Sequence, residues 1–262
     1  MIKLNGIIIK AGHFPDGTTL MKQKISYDDY CGAMIEWFFE NNEELVTLIF
    51  LTKHLRENGV KDVYLRLPYI PNARQDRVKS SEDVFTLKYF ADIVNYLNFN
   101  SVHVLDAHSN VSTALINHVI PCEPKSYIDK AIHNCNPDML FFPDEGAMKR
   151  YSGMAEKEYA FGIKKRDWAT GKIEGLDVAG CIDKIKDSKI LIVDDICSKG
   201  GTFYHSAKKL KELGAKEVYL YITHCENTIF EGELLASDLI KKIYTTNSIF
   251  TKEHEKIEVF EL

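Results

Sequence analysis

Two adjacent carboxylates before a turn of small residues are the part of this sequence best suited to chemistry. Asp194 and Asp195 follow an apolar run, Ile190 to Val193, that predicts a buried strand. The turn runs from Ser198 to Thr202 and includes Lys199, Gly200 and Gly201, and a helix is predicted from about Phe203 to Leu213. At the carboxyl end of a parallel strand, such a turn and the next helix can bind an anion, while carboxylates suit sugar hydroxyls or Mg²⁺. The segment predicts a ribose-phosphate pocket; the alternative is an ordinary strand–turn–helix with an Asp cap.

A second polar group follows two prolines, Pro68 and Pro71, and contains Arg74, Gln75, Asp76 and Arg77. Arginine presents a planar fork of donors to phosphate, and glutamine can bond a purine or a ribose. From composition alone, a solvated charged loop is the competing interpretation.

Further candidates come after other predicted strands. Asp106 and His108 follow the strand Ser101 to Leu105, where a carboxylate and an imidazole can meet a metal-phosphate. The alternative is a structural histidine, which is the more frequent role of a lone histidine at a strand end. Asp144 stands before Gly146, in a segment that could also be a simple β-turn.

The basic triplet Lys164, Lys165 and Arg166 follows a predicted strand, Tyr159 to Ile163. Residues 167–180 contain three glycines and have mixed periodicity, which favours a mobile loop that closes cations over phosphates. A solvated charged surface is the alternative.

The candidate site residues must be positioned by a folded scaffold. The sequence predicts that this scaffold consists of two related halves, because one segment occurs twice in similar form. Lys53 to Leu65 matches Lys208 to Leu220, each a helix ended by a glycine, Gly59 or Gly214, and followed by a strand. The two halves also share a feature of the candidate site: the predicted strand Ser101 to Leu105 is followed by Asp106, as the predicted strand Ile190 to Val193 is followed by Asp194. Alternating strands and helices predict an α/β fold with two mostly parallel sheets flanked by helices, in domains 1–125 and 126–262.

Several motifs, in order along nearly the whole chain, resemble the ribose-phosphate diphosphokinase (PRPP synthetase) family, which has a phosphoribosyltransferase-type fold. The motifs are His13-Phe-Pro-Asp-Gly17, Leu67-Pro-Tyr-Ile-Pro-Asn-Ala-Arg-Gln-Asp-Arg77, Leu105-Asp-Ala-His108, Phe142-Pro-Asp-Glu-Gly-Ala147, Lys164-Lys-Arg166 and the segment from Ile190 to Thr202. The run Ala73-Arg-Gln-Asp-Arg77 is the most specific single match.

The resemblance implies an enzyme that transfers the diphosphoryl group of ATP to the anomeric hydroxyl of ribose 5-phosphate, with Mg²⁺. It assigns Arg74, Gln75, Asp76 and His108 to ATP, and Lys164 and Arg166 to the transferring group, with Lys165 as the fallback for a one-residue slip.

The same resemblance assigns Asp106, His108 and Asp144 to the metal, and the segment from Asp194 to Thr202 to the ribose phosphate. Phe14 and Asp16 correspond to adenine contacts that a neighbouring subunit supplies, so a homo-oligomer, at least a dimer, is expected.

The sequence departs from the family pattern in its loops. Thr18 stands where a Glu is common, Ser198 replaces an Asp, and Lys199 replaces a neutral residue. The extra positive charge makes ADP-ribose an alternative acceptor for the same chemistry. Ser80 to Asp83 replaces a basic stretch, and the sequence ends at Leu262 before the final helix of longer members, so regulation by phosphate or ADP is not implied.

Composition excludes several other classes of protein. The net charge of −5 gives no basic footprint for nucleic acid, and no apolar run is long enough for a membrane span. Six scattered cysteines without Cys-x-x-Cys spacing favour reduced thiols and a cytoplasmic location. Two functional alternatives stay open: a phosphoribosyltransferase that consumes the diphosphate, and a catalytically silent regulatory partner.

Overall fold

The computed structural model describes residues 1–166 and 173–262, with the backbone alone described for residues 164–166 and 173–175. Within this part of the chain, residues cluster into two compact units, Met1–Glu123 and Pro124–Leu262. Each unit has its own sheet.

The first unit alternates strands and helices after an N-terminal pair of hairpins. Its elements are β1 (Ile2–Leu4), β2 (Ile7–Ile9), β3 (Gly12–His13), β4 (Thr19–Leu20), α1 (Tyr27–Cys31), β5 (Ala33–Trp37), α2 (Glu43–Glu57), β6 (Val63–Leu67), α3 (Thr86–Tyr96), β7 (Val102–Leu105), α4 (Asn110–Leu115) and β8 (Val119–Cys122). The sheet order is β2-β1-β5-β6-β7-β8, and β5 to β8 pair in parallel. The small hairpin β3–β4 is separate from this sheet.

The core of this unit follows from the alternation of its strands. In β5 and β6, every second side chain is buried, and Ile35 and Leu65 have no exposed surface. Leu48, Leu51 and Leu55, spaced at three and four residues along α2, belong to the same core. This spacing puts them on one helical face.

The second unit contains a longer sheet of seven strands. Its elements are α5 (Lys125–Cys135), β9 (Met139–Phe142), α6 (Glu145–Tyr151), β10 (Tyr159–Arg166), β11 (Ile173–Gly180), β12 (Lys189–Cys197), α7 (Gly201–Glu212), β13 (Glu217–Cys225), β14 (Lys242–Thr246) and β15 (Ile257–Phe260), with short 3₁₀ helices at Ile182–Lys184 and Asn227–Glu231. The order is β11-β10-β9-β12-β13-β14-β15, parallel except for the pair β10–β11.

Both faces of this second sheet are covered. Ile190 and Ile192 of β12 belong to one apolar cluster, whereas Leu191 and Val193 belong to another. A strand that is buried on both sides needs a continuous apolar run, which explains the sequence from Ile190 to Val193. The predicted α/β fold with mostly parallel sheets is therefore confirmed.

Some element boundaries differ from the prediction. Strand β12 continues to Cys197, so Asp194 and Asp195 lie inside the strand, and α7 begins at Gly201. Strand β10 continues through Arg166 and pairs with β11 as an antiparallel hairpin. The expectation of a loop over 167–180 is thus wrong for residues 173–180, whose register with β10 makes them a strand; residues 167–172 lie outside the described residues.

The matched helix–glycine–strand segments form as expected. Gly59 after α2 and Gly214 after α7 adopt left-handed conformations, with φ of 86° and 89°. The parallel drawn between Asp106 and Asp194 is wrong in topological terms. Asp194 lies in the strand that precedes its matched helix, whereas Asp106 follows β7, one strand after the other matched pair.

No helix among the described residues is long and apolar enough to cross a membrane. All six cysteines are free thiols.

Candidate functional site

The candidate residues form two groups, one in each unit. In the first unit, the chain leaves β6 through two buried prolines, Pro68 and Pro71, and turns at Asn72, which has a left-handed φ of 65°. Arg74 and Gln75 then lie exposed. The Gln75 side-chain oxygen accepts a hydrogen bond of 2.7 Å from the Thr86 hydroxyl at the start of α3. The stiff approach therefore presents both side chains to solvent from a fixed loop.

Asp76 differs from its neighbours because its side chain is buried. The Arg77 guanidinium donates to both of its carboxylate oxygens, from Nε at 2.7 Å and from Nη2 at 3.1 Å. Arg77 is the main cause of a pKa of Asp76 below the usual range, with smaller contributions from Ser109 and His108. The paired and buried Asp76 therefore acts as a positioning residue for the segment from Arg74 to Arg77.

Asp106 and His108 lie in the loop between β7 and α4. Asp106 is buried, adopts a left-handed φ of 45°, and its backbone N–H donates to the Cys122 carbonyl at 2.9 Å. His108 is half-buried. A non-glycine residue in this conformation is uncommon, and such residues cluster at functional sites.

Phe14 and Asp16 lie in the turn of the hairpin β3–β4. Phe14 is 49% exposed. Asp16 accepts hydrogen bonds from the hydroxyl and the backbone N–H of Thr18, at 2.7 and 3.0 Å, and these bonds lower its pKa. Thr18, which departs from the family pattern, therefore holds the Asp16 carboxylate ionised in its own turn.

In the second unit, Asp194 and Asp195 have unequal surroundings. The Asp195 Oδ2 lies 3.1 Å from Nη1 of Arg150, on α6. The Oδ1 of Asp194 accepts from the backbone N–H of Asp195 at 3.0 Å. Burial raises the pKa of Asp194 well above its usual range, the negative charge of Asp195 adds to the rise, and Asp144 contributes less. The site thus has a paired carboxylate beside one that keeps its proton to higher pH.

Asp144 caps helix α6. Its Oδ1 accepts from the backbone N–H of Ala147 at 3.1 Å, which satisfies one of the N–H groups at the helix start. Gly146 lies within the first turn of this helix, so the alternative of a simple β-turn does not hold.

The predicted phosphate turn is divided between a loop and a helix end. Gly200 is the N-cap of α7 in a left-handed conformation, with φ 81°, and Gly201 and Thr202 are exposed in the first helical turn. Lys199 is exposed, whereas Ser198 is partly buried. Free N–H groups at a helix start favour an anion, so this end of α7 suits a phosphate.

Two predictions cannot be followed to side-chain contacts. Lys164, Lys165 and Arg166 lie on β10, whose backbone alone is described at these positions. Among the side chains that the structure describes, those of residues 1–163 and 176–262, no three from His, Cys, Asp or Glu gather closely enough to hold a metal ion. The assignment of Asp106, His108 and Asp144 to a metal stays a prediction.

Arg150 is a site residue that the sequence reasoning missed. It lies six residues after Asp144, in the last turn of α6, where a cation also suits the helix dipole. Its pairing with Asp195 depends on the packing of α6 beside β12, two elements that are far apart in the sequence.

No protein-family model matches this chain. Individual known proteins, however, are similar to it along most of its length. A ribose-phosphate pyrophosphokinase of Pyrococcus abyssi is 29% identical, over 97% of this chain and 88% of the relative. That of Thermococcus kodakarensis is 27% identical, over 93% of this chain and 86% of the relative.

Among solved structures, phosphoribosylpyrophosphate synthetase from Mycobacterium smegmatis has the same fold, with a TM-score of 0.77 at 20% identity. The match covers 97% of this chain and 86% of that chain. Together with the ordered motifs, these comparisons show that the chain is similar to ribose-phosphate pyrophosphokinases over most of its length and shares the fold of that solved structure.

Proposed function

We propose that this protein transfers the diphosphoryl group of ATP to the anomeric hydroxyl of ribose 5-phosphate. The anomeric oxygen forms a bond to the β-phosphorus, and the bond from the β-phosphorus to the α–β bridging oxygen breaks. The hydroxyl loses its proton, AMP leaves, and 5-phosphoribosyl 1-diphosphate is the second product.

The observation that carries this proposal is the position of the two carboxylates. Asp194 and Asp195 lie near the carboxyl end of strand β12, and the next helix, α7, begins with the exposed residues Gly201 and Thr202, whose backbone N–H groups have no partner within the helix. Acceptors for two neighbouring sugar hydroxyls therefore lie a few residues from donors for a phosphate. Ribose 5-phosphate carries both features on one molecule.

Within the acceptor site, Asp195 accepts from a ribose hydroxyl while its contact with Arg150 orients it. Asp194 accepts from the other hydroxyl. The backbone groups from Ser198 to Thr202 hold the 5-phosphate. Because Asp194 is costly to ionise, a bound hydroxyl donor or a cation beside it stabilises the charged form.

For ATP, Arg74 and Gln75 supply the exposed donors and Asp76 fixes the loop that carries them. His108 contacts the phosphates, and Phe14 and Asp16 contact adenine. Lys164 and Arg166 stabilise the negative charge on the transferring group. Such catalysis depends on position and electrostatics more than on covalent chemistry by the protein.

Magnesium fits part of the donor set. Mg²⁺ in phosphoryl-transfer enzymes is bound by one or two carboxylates together with substrate phosphates and waters, so a protein cage of three ligands is not required. Asp106 and Asp144 offer the hard oxygens that it prefers, whereas the imidazole of His108 suits it less. When bound, the ion would neutralise phosphate charge.

We infer a role in nucleotide biosynthesis in the cytoplasm, with ATP and ribose 5-phosphate as the small-molecule partners. A homo-oligomer of at least two chains is part of the proposal, because the exposed Phe14 and Asp16 are assigned to the adenine of a neighbouring subunit.

The test is to incubate the protein with ATP, ribose 5-phosphate and Mg²⁺, without any nucleobase, and to follow the products by mass spectrometry. We expect AMP and 5-phosphoribosyl 1-diphosphate in equal amounts. Lys164→Ala should lower kcat at least a hundredfold and leave ATP binding nearly intact, because a group used in the transition state affects kcat more than ground-state affinity. Lys149→Ala, an exposed lysine on α6, is the matched control.

Absence of AMP without a nucleobase, but turnover of the diphosphate with one, would favour a phosphoribosyltransferase. Absence of both reactions would favour a silent regulatory partner. Near wild-type turnover of Lys164→Ala would move the catalytic assignment to Lys165.

A further inference from the structure

A segment after β13 lies directly on the predicted phosphate loop. This covering segment, Glu226–Leu234, contains the 3₁₀ helix Asn227–Glu231. A methyl group at Gly232 would come within 1.8 Å of the Lys199 carbonyl oxygen, and one at Gly200 would come within 2.9 Å of the Leu234 side chain. These approaches leave no room for a side chain between the covering segment and the loop.

A chain of hydrogen bonds joins Ser198 to this segment. Thr228 donates its hydroxyl proton to the Glu226 carboxylate at 3.0 Å, and the Ser198 and Thr228 hydroxyl oxygens are 3.2 Å apart. A carboxylate can only accept, and a threonine hydroxyl has one proton. Ser198 must therefore donate to Thr228, which leaves lone pairs on its oxygen where a phosphate would need a donor.

The charge of Lys199 is also engaged by this segment. Its Nζ lies 2.9 Å from Oε2 of Glu231, in an exposed pair. Both side chains by which this loop departs from the family pattern are thus held by the covering segment. The donors left to an anion are the exposed Thr202 hydroxyl and the backbone N–H groups at the start of α7.

We propose that the covering segment sets acceptor specificity: by holding Ser198 and Lys199, it restricts the acceptor to one terminal phosphate monoester. A nest of backbone N–H groups is sized for one phosphate, and no side-chain cation of this loop is available for a second. The second phosphate of ADP-ribose would bring a further negative charge near the Glu226 and Glu231 carboxylates, and no other cation of this loop would offset that charge. The inference deepens the proposed function and rests on it.

The experiment measures binding of ribose 5-phosphate and of ADP-ribose by calorimetry, without ATP and at low ionic strength. The wild type should bind ribose 5-phosphate at least about a hundredfold more tightly. Glu231→Gln leaves the Lys199 charge uncompensated and should narrow this ratio about three- to tenfold, an effect that should disappear in high salt. Glu233→Gln, an exposed acidic residue of the same segment, is the matched control.

Thr228→Val tests the hydrogen-bond chain separately. Without the Thr228 hydroxyl, Ser198 can turn its proton to the phosphate, so ribose 5-phosphate should bind about three- to tenfold more tightly. Thr228→Ser keeps a hydroxyl and should restore the wild-type affinity.

Equal binding of the two acceptors by the wild type would overturn the specificity proposal. So would an unchanged acceptor ratio in Glu231→Gln together with an unchanged ribose 5-phosphate affinity in Thr228→Val. Because no turnover is needed, this result is separate from the test of function. A protein with the expected binding pattern that releases no AMP would refute the proposed reaction and leave the specificity inference standing.

Discussion

At the residue scale, the two adjacent carboxylates of the second unit do different work. Asp195 lies beside the Arg150 guanidinium. Asp194 is shielded from water by protein atoms and lies next to the negative charge of Asp195, and both effects raise its pKa. A partly buried carboxylate with a like charge beside it is retained at a cost to stability, which is common where a ligand later supplies a partner.

Asp194→Asn should therefore stabilise the ligand-free protein at neutral pH. The pKa of Asp194 is raised above 3.8, so the folded protein binds its proton more tightly than the unfolded chain does. As the pH rises above about 4, ionisation of Asp194 lowers the stability of the wild type, and the amide has no such loss. We expect the melting temperature at pH 7 to rise by about 2–4 °C, or about 1 kcal/mol.

The readout for this prediction is the melting temperature from pH 4 to pH 8. The difference between variant and wild type should grow with pH. Asp183→Asn, at an exposed aspartate of the same unit, is the control and should show no such growth. A variant that loses stability as the pH rises would contradict the cause given for the pKa.

Removal of Arg150 should have the opposite effect on stability. Arg150→Met leaves the largely buried Asp195 without its cation, at an expected cost of about 1–3 kcal/mol, less than for a fully buried pair because Arg150 is 30% exposed. Arg150→Lys should recover part of this loss. Chemical denaturation measures both.

Lys149→Met is the matched control, because Lys149 pairs with Glu145 on the solvent side of the same helix, both two-thirds exposed. Such a pair contributes less than about 1 kcal/mol. Equal losses in the Arg150 and Lys149 variants would show that the Asp195 contact has no special weight.

At the scale of elements, the hydrophobic pattern along each segment predicted strands and helices, but it did not predict contacts between elements that are far apart in the sequence. The apolar run from Ile190 to Val193 predicted β12, because a strand covered on both faces needs such a run. Its extension through Asp194 to Cys197 follows from pairing with β13, which a single segment does not reveal. The same holds for Arg150 beside Asp195 and for Thr228 beside Ser198.

The Gly232 approach to Lys199 yields a prediction for the element that covers the phosphate loop. Gly232→Ala should lower the stability of the protein by about 1–3 kcal/mol and weaken ribose 5-phosphate binding, because its methyl group would displace the Lys199 carbonyl. Gly153→Ala is the control, since a methyl group there meets no atom within 4 Å. Thermal unfolding and calorimetry would refute the close approach if the two variants behaved alike.

At the scale of the whole molecule, each unit has its own sheet and its own apolar clusters. The sequence, by its repeated helix–glycine–strand segments, led to a prediction of two related halves. It did not reveal that the first sheet begins with an antiparallel hairpin, β1–β2, because three-residue strands give too short a pattern. The hairpin β3–β4, which presents Phe14, follows directly after it.

The last prediction concerns assembly and the exposed Phe14. Phe14→Ala should raise the KM for ATP about tenfold to a hundredfold, because stacking on a base contributes about 1–3 kcal/mol. If a neighbouring subunit supplies Phe14, mixing the Phe14→Ala protein with Arg74→Ala protein should recover activity. Random dimers of the two variants would contain about one quarter of their sites with both residues intact. Phe50→Ala, at a phenylalanine 48% exposed against 49% for Phe14, is the control for loss of an exposed ring. Sedimentation of an active monomer, or a mixture no more active than its parts, would exclude a shared adenine site, because no second chain would then contribute to ATP binding.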